Sequence, residues 1–351
     1  MHVSIYGEVN YRYSRVRRSM AKVRMQDIAC HVGVSAVTVH NALTGQKGVS
    51  DAVREKIVDA AREMGYFQDQ RKSTCLRHVG VLISEKWLAD YTTFYWKLYM
   101  EMAMEAPNRN CMVTAEILKH GAEAELKLPS FVGENAVEGL VVMGEIGRKY
   151  IDFLRSSVKI PIIYLDFYYK EISEDAVVTD GFYGMYMVTE YLYEKGFRRM
   201  AYVGSIHATS SIMDRFCGFQ RVLLEHELTL PEEWRMEDRD ETGEIILALP
   251  EKLPEAFVCN CDLVAIKLIE VLEKQGYKVP GDVTVVGFDN YLYPGLPDRK
   301  ITTYEVNMKE LAQVALKKVL KRMEDPGAMK RMDLVAGHIV EKESVRLPGS
   351  K

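Results

Sequence analysis

The sequence predicts two folding units of different class. A small all-α unit lies near the amino terminus, followed by an α/β body of two lobes, each a parallel sheet flanked by helices. Three observations predict this. Between Val23 and Phe67, apolar residues recur at helical spacing in three short runs separated by glycine and serine. From Val79 onward, apolar strand-like runs alternate with helical runs, the pattern of parallel strands covered on both faces. Finally, 351 residues are too many for one compact core, and the strands are too many for one open sheet.

In the first unit, Met25, Ile28, Ala29 and Val32 share one helical face, and Gly33-Val34-Ser35 ends the run. Ser35 is placed to cap a second helix that turns Val39, Ala42 and Leu43 inward and leaves Ala36, Val37, His40 and Asn41 facing out. After Thr44-Gly45, Ser50 is placed to cap a third helix carrying Val53, Ile57, Ala60, Ala61 and Met64. Two helices across a short glycine-containing turn, braced by a third, form a helix-turn-helix, whose second helix enters a DNA major groove.

Charge separates the same two units. Residues 1–77 carry a balance of +6 and residues 78–351 a balance of −10, so a polyanionic partner is expected for the first unit only. No apolar run approaches membrane-spanning length, and the first twenty residues lack the apolar core of a signal peptide. A cytoplasmic protein is therefore expected. Cys30, Cys75, Cys111, Cys217, Cys259 and Cys261 show no C-x-x-C spacing and are expected to be reduced thiols, with no metal site and no cofactor.

The body's strand-like runs are His78–Ser84, Cys111–Ile117, Gly139–Met143, Ile160–Leu165, Met200–Gly204, Ala256–Cys259 and Val283–Phe288. Helical runs between and after them are Tyr183–Lys195, Arg215–His226, Leu263–Gln275 and Met308–Met323.

Asp27-Ile28-Ala29, Gly33-Val34-Ser35, Thr38-Val39, Asn41-Ala42-Leu43-Thr44-Gly45, Val49-Ser50 and Gly65-Tyr66 closely resemble the LacI family of bacterial transcriptional repressors. The body is similar to the family's effector domains, themselves like periplasmic sugar-binding proteins. That similarity rests on Ile160-Pro161-Ile162-Ile163-Tyr164-Leu165-Asp166, Lys195-Gly196-Phe197, Asp214-Arg215-Phe216-Cys217-Gly218-Phe219, Gly276-Tyr277-Lys278-Val279-Pro280 and Val286-Gly287-Phe288-Asp289.

The resemblance implies a layout. Residues 1–22 would be a basic, disordered leader, and a start at Met20 would give the more usual family shape. Residues 23–67 form the helix-turn-helix unit, 68–78 a hinge, and 79–346 an effector-binding and dimerisation domain. Its amino-terminal lobe would take about 79–178 and 306–330, and its carboxy-terminal lobe about 179–305 and the tail.

By resemblance, Ala36, Val37 and Asn41 read base edges, with His40 beside them. An Asn amide can pair with adenine, and Ala36 and Val37 can pack on thymine methyls. Ser35 and Thr38 are expected at phosphates. The family often has Arg where Asn41 stands and Ser where His40 stands. The hinge departs most. Leu76 is the one candidate for the leucine that wedges into the minor groove in the family, and it stands one position late. The alternative is a plain linker whose Arg71, Lys72 and Arg77 meet phosphates.

Ligands of open α/β sheets sit beyond the carboxyl ends of the strands. By resemblance Asp166, Arg215 and Asp289 contact the effector, carboxylates accepting hydroxyls and Arg donating. Trp87 and Tyr91, with Phe94 and Tyr95 beside them, supply rings that either stack a sugar or pack the core. Asp180 and Asp262 precede helices and are expected as caps. Cys261 stands where the family commonly has Asn, and Glu237-Asp238-Arg239-Asp240-Glu241 where it has an aromatic or apolar loop. Both departures point to an effector more polar or more cationic than a neutral sugar.

The expected function is thus a homodimeric, DNA-binding repressor without enzymatic activity. It would bind double-stranded operator DNA under control of a small molecule, expected to be a sugar or sugar derivative. A solute-binding protein for uptake accounts for the cleft but not for Val23–Phe67. A cytoplasmic sugar-processing enzyme lacks any phosphate loop, metal cluster or nucleophile–base motif to support it.

Overall fold

The computed structural model describes residues 23–44, 46, 48–64, 66, 76–88, 94–169, 174–240 and 243–346. The expected leader 1–22, most of the hinge and the candidate ring Tyr91 lie outside the described residues. The chain divides into two compact units between Leu76 and Arg77.

The first unit holds α1 (Met25–Val32), α2 (Ala36–Leu43) and α3 (Asp51–Glu63). Asp27 accepts the Arg24 N–H at 2.6 Å to close the start of α1. Its end is closed by Gly33 at φ 76°, which lets the Gly33 and Val34 amides both return to Ala29 O. The Ser35 hydroxyl accepts from Thr38 N at 3.1 Å, capping α2 as expected. Ser50 occupies the corresponding position before α3, but its side chain makes no cap bond. Ile28, Ala29, Val39, Ala42, Ile57, Ala60, Ala61 and Tyr66 form the core on which the three helices converge.

The body contains, among the described residues, two six-stranded sheets. The first, in the amino-terminal lobe, runs β2 (Cys111–Leu118), β1 (Arg77–Ser84), β3 (Gly139–Met143), β4 (Ile162–Leu165), β5 (Asp175–Thr179) and β11 (Met332–Val335), all parallel. It carries α4 (Phe94–Glu105), α5 (Arg148–Ser157) and α9 (Met308–Glu324). The second runs β7 (Arg235–Met236), β6 (Met200–Val203), β8 (Ala256–Cys259), β9 (Thr284–Asp289) and β10 (Thr302–Glu305), parallel, and ends on antiparallel β12 (His338–Val340). It carries α6 (Gly181–Glu194), α7 (Ser210–Glu225) and α8 (Asp262–Lys274).

The central strands are buried on both faces, which is why they read as continuous apolar runs. The strands the sequence does not announce are β5, β7, β10, β11 and β12. Each is short, and β10 (TTYE), β11 (MDLV) and β12 (HIV) carry polar or partly exposed residues. Strand β4 starts at Ile162 rather than Ile160 because Pro161 has no N–H to give the ladder.

The lobe boundary also moves. The amino-terminal lobe does not end near 330 but extends through β11. Buried Asp175 at the start of β5 holds Arg322 of α9 at 2.6 Å, and Lys318 bridges Asp175 and Asp333. This ion cluster binds the returning helix and the following strand into the first sheet. On the other lobe, α6 and α7 pack closely because Gly218 faces the Phe182 carbonyl. A Cβ there would collide with backbone.

Candidate DNA-reading helix and interlobe cleft

Helix α2 presents Val37, 69% exposed, with Ser35 and His40 also exposed. Thr38 and Asn41 are half-buried. Ala36 is a correction: it does not stand free with Val37 but packs partly against the core cluster of α1–α3. The far end of α2 is held by a residue that no sequence pattern singles out. Arg54 of α3 donates to the carbonyls of Asn41 (3.1 Å), Ala42 (2.6 Å) and Gln46 (2.8 Å). These are carbonyls left open at a helix end, and a guanidinium closes them while favouring the negative pole of the dipole. Leu76 is 47% exposed and directly precedes β1, outside any helix.

In the body, the carboxyl ends of β4, β6, β8 and β9 deliver polar groups to one place. Asp166 follows β4 at φ 67°, a left-handed turn that aims its carboxylate back into the cleft. Asp289 ends β9 at φ 111°. Arg215 reaches them from the second turn of α7. The helix begins at Ser210, capped by Thr209, and not at Arg215 as its sequence pattern suggests. All three side chains are buried. Arg215 Nη2 lies 3.5 Å from Asp289 Oδ1, Nη1 donates to Asn260 O at 2.8 Å, and the guanidinium lies 4.1 Å from the Phe288 ring centroid. Its Nε has no partner among the described residues. Tyr95, from α4 of the same lobe as Asp166, donates to Asp166 Oδ2 at 2.7 Å.

Burial raises the pKa of Asp166 and Asp289, while Arg215 opposes the shift at each. The set brings two carboxyl groups, a guanidinium and a phenol together in one buried cleft.

Of the other expected residues, Trp87 is fixed by its environment. Its Nε1 donates to Glu145 O at 2.8 Å and its ring lies 6.1 Å from that of Tyr95. Cys261 stands half-buried at the position before α8 without capping it. Burial, then Asp289, pushes its thiol up to about 12. Asp180 caps α6 through Tyr183 N at 3.0 Å, as expected. Asp262 does not cap. It accepts from Thr303 Oγ1 at 2.7 Å and Tyr291 N at 3.0 Å, tying the β9–β10 loop to α8. Burial raises its pKa to about 7. Asp262 sits so close to β9 that a Cβ on Gly287 would collide with its carboxylate.

Residues that sequence reasoning missed complete the cleft. Glu145 of the first lobe accepts from Ser210 N at 2.8 Å and Ser210 Oγ at 3.1 Å in the second. Tyr168 donates to Asp214 at 2.8 Å across the same divide. Asn260 lies along the second lobe's rim beside Asp238 and Arg239, which belong to the charged loop that the sequence itself sets apart. Glu145, Tyr168 and Asn260 belong to no local motif, and only the convergence of strand ends reveals them.

Residues 24–69 match the model of bacterial regulatory proteins of the lacI family, and residues 189–345 match that of a periplasmic binding protein-like domain. The chain is 23% identical over 337 residues to the HTH-type transcriptional repressor PurR of Vibrio cholerae, covering 92% of this chain and 98% of that protein. Among solved structures it is similar to a transcriptional regulator CelR–cellobiose complex, with TM-score 0.63, 18% identity, and coverage of 92% of this chain and 100% of that one. It is also similar to the lac repressor dimer bound to operator and the anti-inducer ONPF. There the TM-score is 0.59 and the identity 16%, covering 92% of this chain and 99% of that one. At these identities the structural likenesses establish the fold.

Proposed function

We propose that this chain, which belongs to the LacI family of bacterial regulatory proteins, acts as a cytoplasmic homodimeric repressor whose grip on operator DNA is set by a carbohydrate in the interlobe cleft. DNA binding with a small-molecule effector is the function of its family; the effector class, the dimer and the residue roles are our reading. The observation that carries it is the buried Arg215 set beside Asp166 and Asp289, in a chain that also carries a helix-turn-helix.

Val37, His40 and Asn41 face base edges, with Ala36 at the margin, while Ser35 and Thr38 meet phosphates. Leu76 is the proposed minor-groove wedge. Asp166, Arg215 and Asp289 take ligand hydroxyls, with Trp87 and Cys261 at the edges. The CelR structure with cellobiose supports the ligand class by analogy of fold. Ligand binding stabilises one relative placement of the lobes, so effector and operator affinities are thermodynamically linked. Among the described residues, no helix is long and apolar enough to cross a membrane.

Capture of genomic DNA fragments by purified protein at moderate salt, with and without sugars, tests the reading. A discrete set of fragments whose retention changes with one sugar is expected. Failure to retain any fragment sinks it.

A further inference from the structure

The rim of the second lobe holds a second guanidinium built in the same manner as the first. Asp238, two residues beyond β7, is fully buried. Its Oδ1 accepts from Ser205 N at 2.8 Å, and its Oδ2 from Asn260 Nδ2 at 2.7 Å. The neighbouring Arg239 closes on it bidentately, Nε to Oδ1 at 3.1 Å and Nη2 to Oδ2 at 2.7 Å. The backbone is pinned as well, since Ser205 Oγ accepts from the amides of both Asp238 (3.1 Å) and Arg239 (3.2 Å).

Asn260 links this pair to the first. Its amide holds Asp238 while its carbonyl accepts from Arg215. A single polar chain thus runs Arg239–Asp238–Asn260–Arg215–Asp289 along the ends of β7, β8 and β9. Arg239 thus stands at one end of a chain whose other end, Arg215 with Asp289, lies in the cleft.

Asp238 occupies one side of the Arg239 fork. The end-on edge, formed by Nη1 and the second Nη2 hydrogen, has no acceptor among the described residues. A guanidinium so rigidly held, whose end-on edge meets no acceptor among the described residues, suits two oxygens of one ligand.

Building on the reading of the cleft as an effector site, the geometry points to Arg239 as a specificity-determining residue. Its end-on edge takes two oxygen acceptors at one end of a polyhydroxylated effector, whose other end is held by Asp166, Arg215 and Asp289. A vicinal diol and a carboxylate share this chemistry. The effector is therefore polar at both ends.

The test uses the full-length protein and a panel of D-glucose, D-ribose, cellobiose, myo-inositol, D-gluconate and D-glucuronate. Thermal-shift screening comes first, because a ligand of the folded state raises its melting temperature. Titration calorimetry of any stabilising member then compares wild type with Arg239→Lys and Arg215→Gln. Arg239→Lys keeps the ion pair with Asp238 but lacks the two-donor edge. If it nevertheless melts well below wild type, the pair Asp238→Asn with Arg239→Gln, a neutral amide contact, gives the readout instead.

The expected result is that a panel member binds and that Arg239→Lys weakens it about tenfold or more, equivalent to ~1.4 kcal/mol. Arg215→Gln is expected to abolish binding. A neutral sugar as the bound member identifies the diol, and a sugar acid the carboxylate. Binding by Arg239→Lys within twofold of wild type, with Arg215→Gln inactive, overturns the inference and leaves the cleft reading standing. Unchanged binding by both variants overturns the cleft reading itself. No stabilisation by any member, in protein that still retains DNA, overturns both.

Discussion

Glu145, beyond the end of β3 in the first lobe, accepts hydrogen bonds from both the main-chain N–H and the hydroxyl of Ser210, at the head of α7 in the second. A carboxylate placed there satisfies open amides at a helix start and favours its positive pole. With Tyr168–Asp214 it also joins the two lobes across the divide that the chain itself crosses after β5, β10 and β11. Replacing Glu145 by Gln removes the charge from a two-bond acceptor and is expected to cost ~1–2 kcal/mol. In a body of this size that corresponds to a melting temperature lower by about 2–8 °C. An unchanged melting curve would show that the contact carries no stability.

Arg215 is expected to be structural as well as ligand-binding. Removing it leaves buried Asp289 without its 3.5 Å ion partner and the Asn260 carbonyl without its donor. Breaking a buried pair from one side costs ~3–5 kcal/mol. Arg215→Gln, which can keep one of the donations, is expected to lose less than Arg215→Ala in urea unfolding. Equal stability of wild type and Arg215→Ala would contradict the assignment of the pair as buried and coupled.

In the first unit, position 54 and position 41 are expected to separate stability from recognition. Arg54→Ala removes three donations to carbonyls at and just beyond the end of α2, a loss of ~2–3 kcal/mol, and should lower both helicity and DNA affinity. Asn41→Ala keeps the core and should leave thermal unfolding within a degree or two, while costing ~1–3 kcal/mol on the preferred DNA site alone. Circular dichroism and fluorescence anisotropy distinguish the two. An Asn41→Ala protein that binds preferred and random DNA as wild type does would remove Asn41 from the reading face.

Asp262 gives the fold a defined pH response. Burial lifts its carboxyl to about 7, above the ordinary carboxylate value near 4. Between those values the folded form binds more protons than the unfolded one. This group's contribution to stability is therefore fully present below about pH 4 and declines as pH rises toward 7. Asp262→Asn stays neutral, and the Thr303 hydroxyl can rotate to serve it. The melting temperature of the variant relative to wild type is expected to rise from pH 5 to pH 8. A constant difference across that range would show that Asp262 is ionised throughout.

The elements legible in the sequence are those whose signal is local. Gly33 and Ser35 announce the α1–α2 turn because one must adopt positive φ and the other must accept an amide three residues on. Strands β1, β3, β8 and β9 are legible because burial on both faces leaves them apolar. Strand β10 was not, because Thr302 and Thr303 turn their hydroxyls to partners 40 residues away in either direction. The start of α7 was missed because Thr209-Ser210-Ser211 reads as a loop until Glu145 is seen to close it.

What the sequence determined by itself is the class of each unit and its separate charge. Helical period, strand burial, capping and formal charge are short-range properties that the chain carries before it folds. The resemblance in residues 23–67 and in the strand-end aspartates added the family. Only the tertiary structure decided which side chains share a cleft. Tyr95, Glu145, Asp166, Arg215, Asp238, Arg239, Asn260 and Asp289 span almost 200 positions, and no spacing rule connects them. Parallel strands deliver all their carboxyl ends to one edge of each sheet, and that geometry, together with two left-handed turns at Asp166 and Asp289, brings the polar groups together.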